Sequence, residues 1–197
     1  MVEEGRSVEI GRGAEAVITL EEGVVRKLRL PKSYRLTQLD EALRQERTIR
    51  EAKIISDARR CGVPTPIIRD ISRFELKMEH VFGPKLKDVI NPKLSETVGE
   101  LVGRLHNCGI IHGDLTTSNM ILYRNRIYLI DFGLAFYDQS IEAEGVDVHV
   151  YFQTLESTHD RPEELIEAFK RGYSQTYINA KAVLKRVEEI KRRGRYL

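Results

Sequence analysis

Cysteine, long apolar runs and an excess of one charge are all scarce in this chain, and each scarcity excludes a class of protein. No apolar stretch approaches the roughly 20 residues that a membrane helix needs, so no membrane association is expected. The first residues, MVEEGRSVEIGRG, lack a signal-peptide pattern. Only Cys61 and Cys108 occur, without metal-type spacing, which speaks against a disulfide framework and fits a reducing compartment. A net charge of +2 over 197 residues supports no global electrostatic argument. There is no internal repeat and no low-complexity tract. These absences together predict a cytoplasmic protein of one domain, or two small ones around a cleft.

What is present divides into a strand-rich first half and a helix-rich second half. SVEIGRGAEAVITLEEGVVRKLRL, residues 7–30, reads as strands, with EEG as a hairpin turn. Residues 39–60 read as one long helix, with Leu39, Leu43, Ile49, Ile54 and Ala58 as an approximate apolar stripe. GVPTP then forces an extended turn, and IIRDISRFELKMEHV returns to strand. After a break in GPKLKDVINPK, a helix is predicted from Ser95 to Cys108. ILYRNRIYLIDF predicts a hairpin turning at Arg124-Asn125, Asp147 to about Glu156 a helix, and Asp160 the cap of a last helix. The fold class is α+β, with residues 1–80 and 81–197 as the two lobes of one catalytic unit.

The chemistry concentrates in HGDLTTSN and the IDFG that follows it. A carboxylate five residues before an amide on a tight loop can divide two tasks. Asp114 can accept a hydroxyl proton while Asn119 ligates a divalent cation. Asp131, twelve residues after Asn119 and beyond the strand IYLI, offers a second hard oxygen for Mg²⁺, which takes a few protein oxygens plus phosphate and water. Turn caps and a strand end would explain each residue singly. Their order around a hairpin matches a kinase catalytic loop followed by its metal turn. His112 braces that loop rather than transferring a proton.

Upstream residues supply the nucleotide side. Val25 and Lys27 share a strand face, so Lys27 can hold the phosphates of ATP, with Glu51 as its partner and Glu46 as the rival. The stretch Ile10, Gly11, Arg12, Gly13, Ala14, Glu15, Ala16 and Val17 would cover the phosphates, its glycines letting backbone amides approach. Ala16 stands where a third glycine would complete the usual pattern, and Arg26 where an apolar residue is usual. Met78 would gate the adenine pocket, and the backbone of Glu79 and Val81 would meet the base. Asp114, Lys27 and Glu51 form the catalytic set, and Asn119 and Asp131 the metal set.

The departures from an ordinary protein kinase narrow the reading. Thr116 stands where Ser/Thr kinases carry a substrate-facing lysine, only 66 residues follow Asp131, and no long activation loop fits. PKSYR, RTIREAKII, HGDLTTSN, IDFGL, VDVHVYFQTLESTH and RRGRYL resemble the small atypical kinase of the KEOPS complex, the PRPK family, over nearly the whole chain. That resemblance implies a minimal bilobal kinase fold using ATP and Mg²⁺. It implies serine phosphorylation or ATP hydrolysis, and association with a threonylcarbamoyl-transferase subunit that makes t6A at tRNA position 37. It also casts Asp147 as the helix aspartate that braces the catalytic loop.

The last seventeen residues carry seven Lys or Arg against two Glu, a pattern suited to a salt-sensitive tRNA backbone contact. The arginines Arg44, Arg47 and Arg50 offer another partner surface. Two alternatives from other classes stand beside the kinase/ATPase reading: a kinase of small hydroxylated molecules, and a non-catalytic nucleotide-binding scaffold.

Overall fold

A computed structural model describes residues 7–193; the start of MVEEGRSVEIGRG and the end of RRGRYL lie outside the described residues. From the first described residues the chain builds β1 (Val8–Arg12), β2 (Ala16–Glu21) and β3 (Val24–Arg29). These are followed by α1 (Thr37–Arg60), β4 (Ile68–Ile71) and β5 (Glu75–Glu79). The five strands form one antiparallel sheet in the order β1-β2-β3-β5-β4. EEG closes the β2–β3 hairpin as expected. Glu22 and Gly23 both take left-handed φ values, 49° and 77°, the two-residue turn whose twist suits a hairpin.

Strand alternation in β3 sorts its charges onto two faces. Lys27 and Arg29 point to the buried side, at 9% and 5% exposure. Arg26 lies on the other face, bonded to Glu21 and Glu75 at 2.8 and 2.7 Å. Its charge is satisfied without entering the core, so the arginine before the lysine leaves the register intact.

The apolar stripe expected along α1 packs only at its C-terminal end, at Ile54 and Ala58. Leu39 and Ile49 are exposed, while Asp40, Thr48, Glu51, Ala52, Ile54, Ile55 and Ala58 are buried. The helix therefore begins by burying polar groups and ends by burying aliphatic ones, which is why no clean helical period shows in the sequence.

The chain forms two compact units, residues 7–56 with 66–81, and residues 57–65 with 82–193. The second contains α2 (Pro92–Asn107), β6 (Ile110–Ile111), β7 (Met120–Tyr123), β8 (Arg126–Leu129) and β9 (Phe136–Tyr137). α3 (Ile141–Thr158), α4 (Pro162–Thr176) and α5 (Ala180–Arg193) complete it. α4 packs along α2 closely enough that a Cβ on Gly172 would lie 1.9 Å from the Glu96 carbonyl oxygen. Tyr151, Phe169 and Tyr173 fill the space beside them, fully buried, with Phe169 stacked on Tyr173.

Three helix starts and one helix end differ from the sequence reading. α2 starts at Asn91, whose side chain accepts from Leu94 N at 3.1 Å, with Pro92 in the first turn. Ser95 is inside and buried, its hydroxyl donating to Leu165 O at 2.7 Å. α3 starts at Ser140, capped by its own side chain, well before Asp147. Asp160 does not cap α4; Arg161 does so in a left-handed conformation, φ 51°, without a side-chain bond. The single last helix is two. The break is fixed by Tyr177, extended and buried, whose hydroxyl donates to Glu144 at 2.5 Å.

Cys61 and Cys108 are joined as a disulfide, with Cα atoms 6.5 Å apart. The expectation of two unpaired thiols is corrected. The C-terminal ends of α1 and α2 meet there, where Arg104 also donates to the Gly62 carbonyl at 3.4 Å. Nothing in a spacing of 47 residues reveals that meeting. Among the described residues no helix is long and apolar enough to cross a membrane.

Candidate active site

In the first unit the buried face of β3 meets α1 through one carboxylate and two cations. Lys27 Nζ donates to Glu51 Oε1 at 2.6 Å, and Arg29 Nη2 donates to Glu51 Oε2. Glu51, not Glu46, is the partner of Lys27. Glu51 is 3% exposed, so all three groups sit where charge is tolerated only when paired. Arg29 was not among the predicted site residues. The signal was present in VVRKLRL, since a period of two puts positions 27 and 29 on one face. Arg29 also lies 3.7 Å from Glu15, and Glu15 receives Arg47 at 2.7 Å, which holds its carboxyl below the ordinary range.

The glycine stretch forms the tight end of the β1–β2 hairpin. Gly13 N donates to Ala16 O at 2.9 Å, so that amide closes the turn on itself. Lys32 Nζ donates to Ala14 O. Ile10, Arg12, Gly13 and Ala14 are exposed, Gly11, Glu15 and Val17 half-buried, and Ala16 buried. On β5, Met78 is buried opposite Val25, and Val81 is buried just beyond the strand. Glu79 N donates to Ile67 O at 2.8 Å, so a contact from the Glu79 backbone to a base would use its carbonyl oxygen.

In the second unit the loop from His112 to Asn119 is folded on itself. Asn119 Nδ2 donates to Asp114 Oδ2 at 2.7 Å and to Asp114 O at 3.0 Å. Committing the amide nitrogen this way leaves Oδ1 as the end of Asn119 suited to a hard cation. Asp131 arrives through the β7–β8 hairpin, which turns at Arg124 and Asn125 with φ 47° and 60°. Its register pairs Met120 with Leu129, and Ile130 N donates to Asn119 O at 3.0 Å. Asn119 and Asp131 therefore stand at the same open end of the hairpin. Asp131 is exposed, with φ 61°. Among the described residues no three His, Cys, Asp or Glu side chains cluster as a metal cage. One carboxylate and one amide oxygen fit Mg²⁺, which is commonly completed by phosphate and water.

His112 has both ring nitrogens engaged. Nε2 lies 3.2 Å from Ile130 O, and Nδ1 accepts from Asp114 N at 3.3 Å. These bonds require the neutral tautomer with the proton on Nε2, so His112 ties the loop to the strand carrying Asp131 and is a brace. Gly113 cannot be replaced without moving backbone: its φ is 79° and a Cβ would lie 2.5 Å from Leu134 O.

Asp147 on α3 fixes the entry to this loop. Its carboxylate accepts from His112 N and Gly113 N, both at 2.9 Å, and from His106 Nε2 at 3.2 Å. Burial pushes its carboxyl up, but the hydrogen bonds it accepts from His106 and from the His112 backbone amide outweigh that and hold it below the usual range. His106 is in turn held by Tyr173 Oη at 2.8 Å.

Comparison with known proteins places this geometry in a family. The RIO domain model matches residues 26–154. The chain is 48% identical over 185 residues to an Archaeoglobus fulgidus protein named "Probable serine/threonine-protein kinase BUD32 homolog", covering 94% of each. The chain belongs to the RIO-domain kinases of the BUD32 family. It is also 60% identical over 192 residues to a Methanosarcina acetivorans protein named "Probable bifunctional tRNA threonylcarbamoyladenosine biosynthesis protein". That match covers 95% of this chain but 35% of the relative, so the chain spans about a third of such proteins. The crystal structure of Rio2 kinase from Chaetomium thermophilum shares the fold, with TM-score 0.66 at 18% identity over 98% of this chain and 74% of the other. A second structure of that kinase is an ADP/Mg²⁺-phosphoaspartate complex, with TM-score 0.62 at 18% identity over 97% and 70%.

Proposed function

We propose that this BUD32-family chain transfers the γ-phosphoryl group of ATP to a serine hydroxyl or to water, in the cytoplasm, as the kinase/ATPase component of the KEOPS complex. The observation that carries the reading is the Asp114–Asn119 pair on one folded loop with Asp131 brought beside it by the β7–β8 hairpin, a base and two hard oxygen ligands. Phosphoryl transfer needs positioning and charge neutralisation more than covalent help from the protein. Lys27, held by Glu51, neutralises the phosphates in this reading. The residues Ile10 to Val17 cover them, Met78 borders the base, and the backbone of Glu79 and Val81 meets its edge. Asn119 and Asp131 would hold Mg²⁺, which when bound would offset the charge of the phosphates. Asp114 orients the attacking hydroxyl or water and takes its proton. The Rio2 complex with ADP and Mg²⁺ supports nucleotide and metal use in this fold.

The partner follows from the fused relative. In Methanosarcina acetivorans a region like this chain is covalently part of a larger tRNA threonylcarbamoyladenosine protein. The remainder of such a protein is the natural counterpart for a separate chain, namely the threonylcarbamoyl-transferase subunit. The basic end of α5, with Arg192 and Arg193 beside a Lys191 that is bonded to Glu156, is the described part of the proposed tRNA contact. Arg44 and Arg47 are less suited to a partner surface, being held by Asp40 and Glu15 at 2.7 Å each.

The test uses labelled ATP with Mg²⁺ and follows free and protein-bound phosphate for the wild type and Asp114→Asn, with and without the transferase partner and tRNA. Free phosphate that rises with partner and tRNA and vanishes in the variant identifies an ATPase. Protein-bound phosphate alone identifies a kinase. Turnover indifferent to Asp114→Asn overturns both.

A further inference from the structure

The sequence motif Ser157-Thr158-His159 has no part in the chemistry above, yet His159 touches the catalytic loop. Its Nε2 lies 3.0 Å from the Thr117 hydroxyl. Thr117 is 1% exposed and opens the 3-10 turn Thr117–Asn119, so it stands between the proposed base and the proposed metal ligand. His159 ends α3, its backbone N–H accepted by Leu155 O at 3.1 Å, and α3 packs against that turn.

Asp147 lies on the same helix. It holds the loop where it begins, at His112 and Gly113, while His159 holds it at Thr117, where it turns toward Asn119. The two ties are twelve residues apart, about 18 Å along a helix. A single tie would let the far end of the loop pivot, and the Asn119–Asp114 bond would pivot with it. Two ties to one rigid element fix the segment between the base and the metal ligand at both ends.

We propose that His159 is a positioning residue for the catalytic loop, acting through the Thr117 hydroxyl to set Asn119 against Asp114. This inference rests on the phosphoryl-transfer reading. Its signature differs from that of a structural histidine, because a displaced Asn119 weakens metal use before it weakens folding. Outer-sphere partners of this kind are typically worth about 10–100-fold in metal affinity or activity.

The experiment measures kcat, ATP KM and the Mg²⁺ concentration for half-maximal turnover in His159→Ala, His159→Gln, Thr117→Val and Thr117→Ser. The wild type and Asp114→Asn are run alongside, with melting temperatures for all. His159→Ala and Thr117→Val are expected to lower kcat about tenfold or more and raise the Mg²⁺ requirement, with ATP KM at saturating Mg²⁺ within about twofold. A double variant combining His159→Ala with Thr117→Val should be no worse than either single one, and Gln and Ser should restore most of the loss. Turnover within twofold of wild type, multiplicative losses in the double variant, or loss explained by a lowered melting temperature alone would each overturn the assignment.

If wild-type turnover does not exceed that of Asp114→Asn, the phosphoryl-transfer reading falls separately. Amide exchange then decides the positioning claim. Faster exchange confined to residues 112–120 in His159→Ala supports it, and unchanged exchange there overturns it.

Discussion

The two units hold their site residues by different means. In the first, Glu51 is clamped between the full charges of Lys27 and Arg29 in a nearly dry setting. In the second, Asp114 is held by an amide and a backbone turn, and the loop around it by backbone N–H groups that donate to the Asp147 carboxylate and by the neutral imidazole of His112. A charge clamp is stable only as a set, since removing one member leaves the others buried and uncompensated. A loop strapped by neutral and backbone bonds can lose its reactive group and keep its shape. Fold and chemistry should therefore be hard to separate in the first unit and easy to separate in the second.

The largest effect that would test this contrast is Asp114→Asn. The amide keeps the size of the carboxylate and still offers Oδ1 to Asn119, so the melting temperature should move little. ATP turnover should fall by about 10³-fold or more, on the scale of losing a catalytic acid/base together with its charge. A melting temperature that falls with activity would mean that Asp114 is as structural as Glu51. Next in size is Glu51→Ala, which strands Lys27 and Arg29. It should cost about 3–5 kcal/mol in denaturant unfolding, whereas Lys27→Met, leaving Glu51 paired with Arg29, should cost clearly less while still impairing turnover. Equal costs for the two variants would show that the clamp does not act as a set.

A third test falls on the second unit's covalent tie. Reduction, or Cys61→Ser with Cys108→Ser, opens a loop of 47 residues. Loop-closure arguments put the loss at about 2–4 kcal/mol, readable as a lower denaturation midpoint. If the loss also appears as altered Mg²⁺ dependence, the bridge helps hold the catalytic loop and the separation of shape from chemistry is weaker than argued.

How legible each region was in the sequence follows the same division. The nearness of Asn119 and Asp131 was readable from HGDLTTSN and IDFG because a hairpin turning at Arg124-Asn125 brings the two ends together by register alone. Lys27 was readable from strand alternation. Arg29 shares that face by the same alternation, but its pairing with Glu51 depends on the packing of α1. Glu51 could not be separated from Glu46, since both lie on the same helix and only packing chooses between them. The stripe on α1 misled because the helix buries Asp40, Thr48 and Glu51 while exposing Leu39 and Ile49. The break at Tyr177 and the Cys61–Cys108 bridge depend on long-range packing that no local pattern records. The capping of α2 by Asn91 was local, with Pro92 as its signal, and was hidden by the plausible serine four residues later.

The smallest effect concerns pH and asks whether the strap on the catalytic loop is electrostatic at all. Asp147 has its carboxyl held below the ordinary value of 3.8, with burial opposing and the His106 bond leading the stabilising contacts. A group whose folded pKa is lowered adds stability that is fully present above its unfolded pKa. That stability is lost as pH falls through the folded pKa. The window therefore lies on the acid side, from about pH 4 downward. There the wild type should lose stability relative to Asp147→Asn by at most about 1.4 kcal/mol per pH unit, the contribution of one proton. Above that window the difference between the two proteins should change little if the other ionisations are common to both. Parallel curves throughout would mean that Asp147 acts through shape and hydrogen-bond count alone, and would extend the contrast with Glu51 to the loop's own anchor.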